Sequence, residues 1–476
     1  MVYWAMLNSF RAWLAGEGLS GIARPYMLND NNIGYCVNAY GIDHPSVTNG
    51  YINYFIEPKA VIDHLSDFTY TKHKTQSNIA IEYGQLNTHK NPHLGHLRNI
   101  CIGKALSALS NDVCTNVTYL GDHGMHVAKC MVGLRAGIKD IQEAYEYGNN
   151  QSEDIVCDEM AHWNAEDILY KDSRAESISN IRHLFDYFGV KFSDYAYESD
   201  FLQKDILIEL LSDIGYWGND KYSDCFVVDT DCGTIVLIKA DGTLLYAGKD
   251  ILLAQNYSKR YDEVLYVVGQ EQIQYFKQLS FILNKLFPQT KIKHIDYGLV
   301  TTQGSKISSR AGASSAWELI DHLESIISKT YHCDIETTQI IVSNIIYYEM
   351  LKSDYKAPVK FIDDDQYIKN QGISYIMYQY CRAKTITMTD TDFDTFIPDT
   401  SSIKLLRSLL YSTDNLDCTN PQKLFSTWSD IAASFSNFYT NNRINGNPQA
   451  LALTKIFINV NNILAYLLDI RLPERM

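Results

Sequence analysis

Basic charge is what this sequence of 476 residues is short of: 41 lysines and arginines stand against 56 aspartates and glutamates, a formal net charge of −15. That balance argues against a protein that coats nucleic acid without selectivity, although one local basic surface is enough to meet phosphates. Paired cysteines are missing too. The ten cysteines are scattered, no Cys-x-x-Cys occurs, and the closest pair is Cys225 and Cys232. They read as reduced, mostly buried thiols, and no protein-held metal is expected. No apolar run looks long enough to span a bilayer, so no membrane partner is expected. Residues 1–14 lack a basic leader, an unbroken apolar core and a small-residue cleavage site, which argues against a secretory signal and for a cytoplasmic location. Internal repeats and low-complexity tracts are absent.

What is there suits a globular protein of two to four domains, with an apolar fraction of 46%. Residues 1–77 read as a small α+β domain, with strand-like stretches from Ile33 to Tyr40 and from Gly50 to Ile56. Residues 78–312 alternate strand and helix, the pattern of a parallel α/β sheet with ligands at the carboxyl ends of its strands. The rhythm breaks over about 145–235, a stretch rich in Glu, Asp and Ser that reads as an insertion. It resumes with Thr234 to Lys239, Glu263 to Gly269 and His294 to Thr301, each with the apolar composition of a buried parallel strand. Residues 313–350 read as a helical connector and 351–476 as an all-α bundle.

The most informative segment runs from Glu82 to Asn99 and contains His93-Leu-Gly95-His96. A strand-like run precedes it and a helix-like run follows (Leu97, Ile100, Cys101, Ala105, Ala108). Free N–H groups and the positive end of a helix dipole attract phosphate. Pro92 is suited to start such a helix, and Gly95 would let an adenine ring approach the backbone. His93 and His96 can donate hydrogen bonds to an α-phosphate as charge builds on it. Taken alone, the pattern reads more readily as a helix start with two surface histidines.

It has a counterpart more than 200 residues later, Gly304-Ser-Lys306-Ile-Ser308-Ser309-Arg310-Ala-Gly312. A loop of small residues carrying Lys306 and Arg310 can neutralise a pyrophosphate leaving group. By itself it also reads as a solvated basic loop. Together and in this order, the two motifs resemble the His-Ile-Gly-His and Lys-Met-Ser-Lys-Ser signatures of class I aminoacyl-tRNA synthetases.

Further segments narrow the resemblance to the arginyl-tRNA synthetases. They are Asn87 through Asn99, Gly121-Asp-His-Gly-Met-His-Val-Ala-Lys129, Phe192-Ser-Asp-Tyr-Ala-Tyr-Glu198-Ser199, Asp241-Gly-Thr-Leu-Leu-Tyr246-Ala-Gly-Lys-Asp250 and Val267-Val-Gly-Gln-Glu-Gln272. Towards the end come Ser374 through Arg382, Phe435-Ser-Asn-Phe-Tyr439 and Pro473-Glu-Arg-Met476. The resemblance implies a Rossmann-type catalytic domain and an anticodon-binding bundle. It implies joining of L-arginine to its tRNA with ATP and magnesium, by a monomer. His93, His96 and Lys306 would be catalytic, and Gly95, Ser308, Ser309 and Arg310 would join them around ATP. Tyr246 and Asp250 would hold the arginine side chain, helped by Glu198 and Gln272, while Glu82 and Asn87 serve its other polar groups. Tyr378, Tyr380, Tyr439 and Met476 would lie near the anticodon.

The chemistry is sensible without the resemblance. A guanidinium is read by carboxylates and planar acceptors in a shaped pocket. Singly, Asp250 is as readily a helix-start residue, Glu198 a surface carboxylate and the tyrosines ordinary packing. The sequence departs from the family pattern in four places. Ser309 stands at the second lysine of the loop motif, Gly248-Lys249 replaces Thr-Arg, Tyr275 stands where histidine is frequent, and the N-terminal domain is short. These leave two other readings open. One is a relative that binds RNA without charging it. The other is a class I ligase for another amino acid such as cysteine, which would normally need zinc-ligand cysteines.

Overall fold

A computed structural model describes residues 50–72, 75–162, 167–303, 315–362, 364–386, 396–414, 416 and 419–476, with shorter stretches between 11 and 48. The chain divides into two compact units. One comprises His73–Ser325 and Glu349–Asp364, the other Met1–Lys72, Ile326–Tyr348 and Asp365–Met476.

The first unit is built on five parallel strands in the order Lys291–Tyr297, Glu263–Gly269, Asn78–Glu82, Val113–Leu120, Asp194–Tyr197. Helices Leu94–Leu109, Tyr246–Ser258 and Ile273–Leu286 connect and cover them, which makes this the Rossmann-type α/β domain expected. The central strand explains itself: Ile79, Ala80 and Ile81 are all buried, as a strand covered on both faces requires. Its two neighbours lie on opposite sides of it and both come later in the chain, Val113–Leu120 from just after it and Glu263–Gly269 from far downstream. A strand order that reverses in this way leaves a crevice at the carboxyl ends of the strands.

Several expectations change. Gly233–Ile238 is not a strand of the parallel sheet. It pairs antiparallel with Phe226–Thr230, which in turn pairs with Gly215–Trp217. An apolar strand reports that it is buried but not which partner it takes. The central sheet instead recruits Asp194–Tyr197 as an edge strand, from inside the stretch read as an insertion. The run His294 to Thr301 is two strands, Lys291–Tyr297 in the sheet and Val300–Gln303 paired in parallel with Val359–Ile362.

The second unit joins a small antiparallel sheet (Arg24–Pro25, Ile33–Asn38, Tyr51–Ile56, Val47–Thr48) to helices Gly372–Lys384, Thr400–Asp414, Pro421–Asn441 and Pro448–Leu467. The N-terminal sheet and the C-terminal helices therefore fall in one compact body, and the stretch 313–350 is divided between the two units. Trp428 is fully buried and donates from Nε1 to Asn461 Oδ1 at 2.6 Å. Phe435 and Phe457 stack at 3.9 Å. Among the described residues one helix, Pro448–Leu467, is long and apolar enough to cross a membrane by length and composition, contrary to the sequence reading. Asn459, Asn461 and Asn462 break the run to the eye without lowering its mean hydropathy enough. Of its most apolar window 72% is buried in the protein, as in the core helix of a bundle.

Helix Leu94–Leu109 lies directly on the ring of Tyr83. A Cβ at Gly103 would come within 2.1 Å of Tyr83 Cγ. Gly103→Ala is therefore expected to destabilise the chain by about 1–3 kcal/mol through overpacking, read as a lower urea midpoint. An unchanged midpoint would contradict this packing.

Candidate active site

The crevice is a cavity of about 870 Å3 in the first unit, within the size range of small-molecule sites. Its floor is the carboxyl ends of the strands. Glu82 ends the central strand, Gly269 ends the strand Glu263–Gly269, and Gln272 follows it. Tyr297 ends an edge strand, and Glu198 directly follows Asp194–Tyr197.

Helix Leu94–Leu109 opens into the cavity and is capped by the histidine motif itself. The residue at the cap is His93, so Pro92 precedes the helix rather than starting it. Gly95 N–H donates to His93 Nδ1 at 3.1 Å, and His93 N–H donates to His96 Nδ1 at 3.0 Å. The two rings stack at 3.7 Å between centroids. With each Nδ1 accepting, each neutral ring carries its proton on Nε2. Burial, followed by the charge of Lys90, lowers the pKa of His93. Burial, then His93, then Lys90 holds His96 well below its ordinary value. The pair is thus neutral and keeps two N–H donors. Gly95 serves this arrangement: a Cβ there would meet His93 Cε1 at 2.9 Å.

Asn99 ties this helix to the sheet. It accepts from Gly84 N–H at 2.5 Å and donates to Val267 O at 2.6 Å and Gln85 Oε1 at 3.1 Å. The neighbouring Arg98 does not turn to the substrate side. Its guanidinium donates to the carbonyls of Tyr355 (2.8 Å), Ala357 (2.7 Å) and Leu299 (3.2 Å).

The other end of the cavity is acidic. Of the described lining residues Glu82, Glu198, Asp250 and Glu271 carry carboxylates, and none is lysine or arginine. Helix Tyr246–Ser258 begins at Tyr246, so Tyr246 and Asp250 lie one turn apart and both reach the cavity. Tyr275 donates a hydrogen bond from its hydroxyl to Asp250 Oδ2. Lys249, almost wholly buried, pairs with Glu198 at 3.1 Å. Gln85 donates to Glu82 Oε1 at 3.3 Å. Burial, and then the Asp250 carboxylate, pushes Glu82 up to about 8. Burial pushes Asp250 up to about 7, with Glu198 adding and Tyr275 and Lys249 opposing. Burial also raises Glu198, against the pull of Lys249.

A second layer is supplied by one face of helix Ile168–Tyr187. Tyr170, Ser173, Arg174 and Ser177 lie at helical spacing and all bond inward. Ser177 Oγ accepts from His89 N–H at 3.0 Å, and Ser173 Oγ meets His89 Nε2 at 3.0 Å. This holds His89 at φ 61, a costly backbone for a non-glycine residue, in the loop that carries Asn87. Arg174 pairs with Asp122 at 2.7 Å. The Asp122 carboxylate also accepts from Ser199 N–H (2.8 Å) and Oγ (2.7 Å), which fixes the backbone next to Glu198. Asp122 belongs to the segment Gly121–Lys129 that carries part of the family resemblance. Nothing local marked Arg174, whose partner is 52 residues away.

Of the residues named from sequence, Glu82, Asn87, His93, Gly95, His96, Glu198, Tyr246, Asp250 and Gln272 line this one cavity. Lys306, Ser308, Ser309 and Arg310 lie outside the described residues. The anticodon candidates belong to the second unit. There Tyr378 is exposed, Arg382 lies over the Tyr439 ring at 3.5 Å, and Met476 is half-buried. Tyr380 is a correction. It is 5% exposed, and its hydroxyl donates to Asn462 at 3.0 Å, so its ring belongs to the bundle core and is not free to stack on a base.

Residues 179–345 match the family of class I tRNA synthetases of the arginine type, catalytic domain. The chain is similar to the arginyl-tRNA synthetases. It is 25% identical over 469 residues to the arginine–tRNA ligase of Borreliella burgdorferi, covering 84% of this chain and 80% of that one. With the ligase of Borrelia hermsii it shares 28% identity over 358 residues, 65% of this chain and 61% of the relative. The arginyl-tRNA synthetase of Thermus thermophilus superposes over 100% of both chains with a TM-score of 0.73 at 17% identity, a likeness of fold.

The raised carboxyl groups give stability a definite slope with pH. Folded Glu82 and Asp250 keep protons that the unfolded chain, with values of 4.5 and 3.8, has released. Stability therefore falls as pH rises between those values and about 8. Glu82→Gln is expected to flatten this slope in thermal unfolding of the ligand-free chain. A slope as steep as that of the wild type would remove Glu82 as its source.

Proposed function

We propose that this chain joins L-arginine to its tRNA through an arginyl-adenylate formed from ATP. The observation that carries the proposal is the make-up of one cavity: a pair of neutral imidazole donors on a helix N-terminus and, in the same lining, a group of carboxylates. The first suits an α-phosphate, the second a guanidinium.

Asp250 and Tyr246 take the arginine side chain, with Glu198 and Gln272 beside them, while Asn87 and Glu82 serve its remaining polar groups. The carboxylate of arginine attacks the α-phosphorus, the P–O bond to pyrophosphate breaks, and the negative charge passes to the leaving group. His93 and His96 donate from Nε2 to the α-phosphate oxygens as charge builds there, which costs no reorganisation because both rings are already locked. Lys306 and Arg310 are assigned to the pyrophosphate. In the second step a hydroxyl of the terminal adenosine of tRNA attacks the adenylate's carbonyl carbon and AMP departs. Positioning does most of the work, and no covalent enzyme intermediate is needed.

Among the described residues no group of three or more His, Cys, Asp or Glu side chains is placed to hold a metal. Magnesium is assigned to the phosphates of ATP. The second unit is assigned to the anticodon, through Tyr378, Tyr439 and Met476. A monomer working in the cytoplasm completes the reading.

ATP–pyrophosphate exchange with the twenty amino acids, with and without tRNA, tests this. Exchange with arginine alone is expected, and exchange with a different amino acid, or with none, would refute the reading. Asp250→Ala is expected to lower arginine-dependent exchange by at least about a hundredfold, the loss of a charged contact and the partner it leaves behind. ATP binding should change less than about twofold. Equal loss of both would contradict the assignment of the acidic end.

A further inference from the structure

Asp250 is held by a neutral group, whereas Glu198 is held by a charged one. Lys249 precedes Asp250 in the chain yet turns to Glu198, at 3.1 Å and with only 7% of its side chain exposed. The cation available to this end of the cavity is thus engaged by one carboxylate. The other receives the phenol of Tyr275. A phenol orients a carboxylate without cancelling its charge, and an ammonium in the same place would do both.

Tyr275 is well built for orienting. It sits in the first turn of helix Ile273–Leu286, directly after the turn that carries Gln272. Its ring meets Tyr246 edge-on at 4.9 Å and 64°, and Phe276 at 5.4 Å and 81°. Tyr275, Tyr246, Asp250 and Phe276 all line the cavity. The ring is wedged between two others, so its hydroxyl is fixed in place. Burial, and then the Asp250 carboxylate, raises the phenol well above its ordinary value, so it stays a donor at any working pH.

A carboxylate has about four lone-pair positions on its two oxygens. One hydrogen bond to Oδ2 uses a single position and fixes the plane of the group. Among the described residues no other hydrogen bond is shown to this carboxylate, which leaves Oδ1 and a position on Oδ2 for a planar fork of two guanidinium N–H groups. An ammonium, by contrast, is satisfied by a carboxylate in any rotation.

We propose that Tyr275 is a positioning residue of the amino-acid pocket, fixing the plane of the Asp250 carboxylate so that it receives the arginine guanidinium through two parallel hydrogen bonds. The inference rests on arginine being the substrate and adds a residue for which that reading has no role.

The test is Tyr275→Phe, which keeps the ring and its packing and removes the donor. Steady-state exchange is measured with arginine and ATP varied separately, and folding is checked by thermal unfolding. The KM for arginine is expected to rise about tenfold, the usual weight of a hydrogen bond to a charged group. The KM for ATP and kcat should stay within about twofold. Tyr275→His, which keeps a ring N–H donor, is expected to fall between wild type and Tyr275→Phe. It also supplies the readout should the phenylalanine variant not fold. An unchanged KM for arginine, a joint rise of both KM values, or a histidine variant no better than phenylalanine would overturn the proposal. A wild-type chain that does not activate arginine would overturn the functional reading and this proposal together. Arginine use that is indifferent to Tyr275 would overturn this proposal alone.

Discussion

The side chain of Asn99 bonds across the point where the strand order reverses. One of its atoms takes the N–H of Gly84, just beyond the central strand, and another gives to Val267 O on the strand that arrives from far downstream. Both contacts come from the helix that carries His93 and His96. The carboxyl ends of two central strands and the N-terminal part of helix Leu94–Leu109 are therefore fixed by one buried amide. Every later feature of the site uses this frame, because Glu82, Gln272 and the histidine pair are each a few residues from one of the three anchored points.

Around that frame the site divides its electrostatics in two. At the helix end the two histidines use no formal charge. The two imidazoles are kept neutral by burial, and their Nδ1 atoms are occupied by backbone N–H groups, so what they offer is a pair of oriented donors. At the strand end carboxylates are packed into a poorly hydrated wall, and burial and mutual repulsion lift two of them toward neutrality. A cation entering there relieves both costs at once. The cavity thus suits a ligand with a positive end, as the proposed placing of arginine with its carboxylate toward ATP requires.

Much of the rigidity comes from outside the cavity. Helix Ile168–Tyr187 presents four side chains on one face to the loops that carry Asn87 and Asp122. It thereby fixes Glu198 through Ser199 without touching the cavity itself. Buried polar layers of this kind hold first contacts within a fraction of an ångström. Here the layer lies in the acidic, serine-rich stretch that interrupts the α/β rhythm.

The sequence by itself determined the elements and the chemistry. Alternation of apolar runs placed the strands Asn78–Glu82 and Glu263–Gly269. The His93-Leu-Gly95-His96 spacing placed two imidazoles on one helix end, and Tyr246 and Asp250, four apart, fell on one face of a helix. These are local patterns, set by the helical and strand repeats, and they are legible because each depends on near neighbours in the chain. The tertiary structure decided the pairings. The strand Gly233–Ile238 left the central sheet for an antiparallel partner, and Asp194–Tyr197 joined it. Lys249 went to Glu198 and Tyr275 to Asp250, Arg98 turned to backbone carbonyls, and Tyr380 sank into the bundle. A strand's apolar composition reports burial but not its neighbour, and a charged side chain reports its sign but not its partner. Both are chosen by contacts between residues tens to hundreds of positions apart, where only the packed chain brings them within reach.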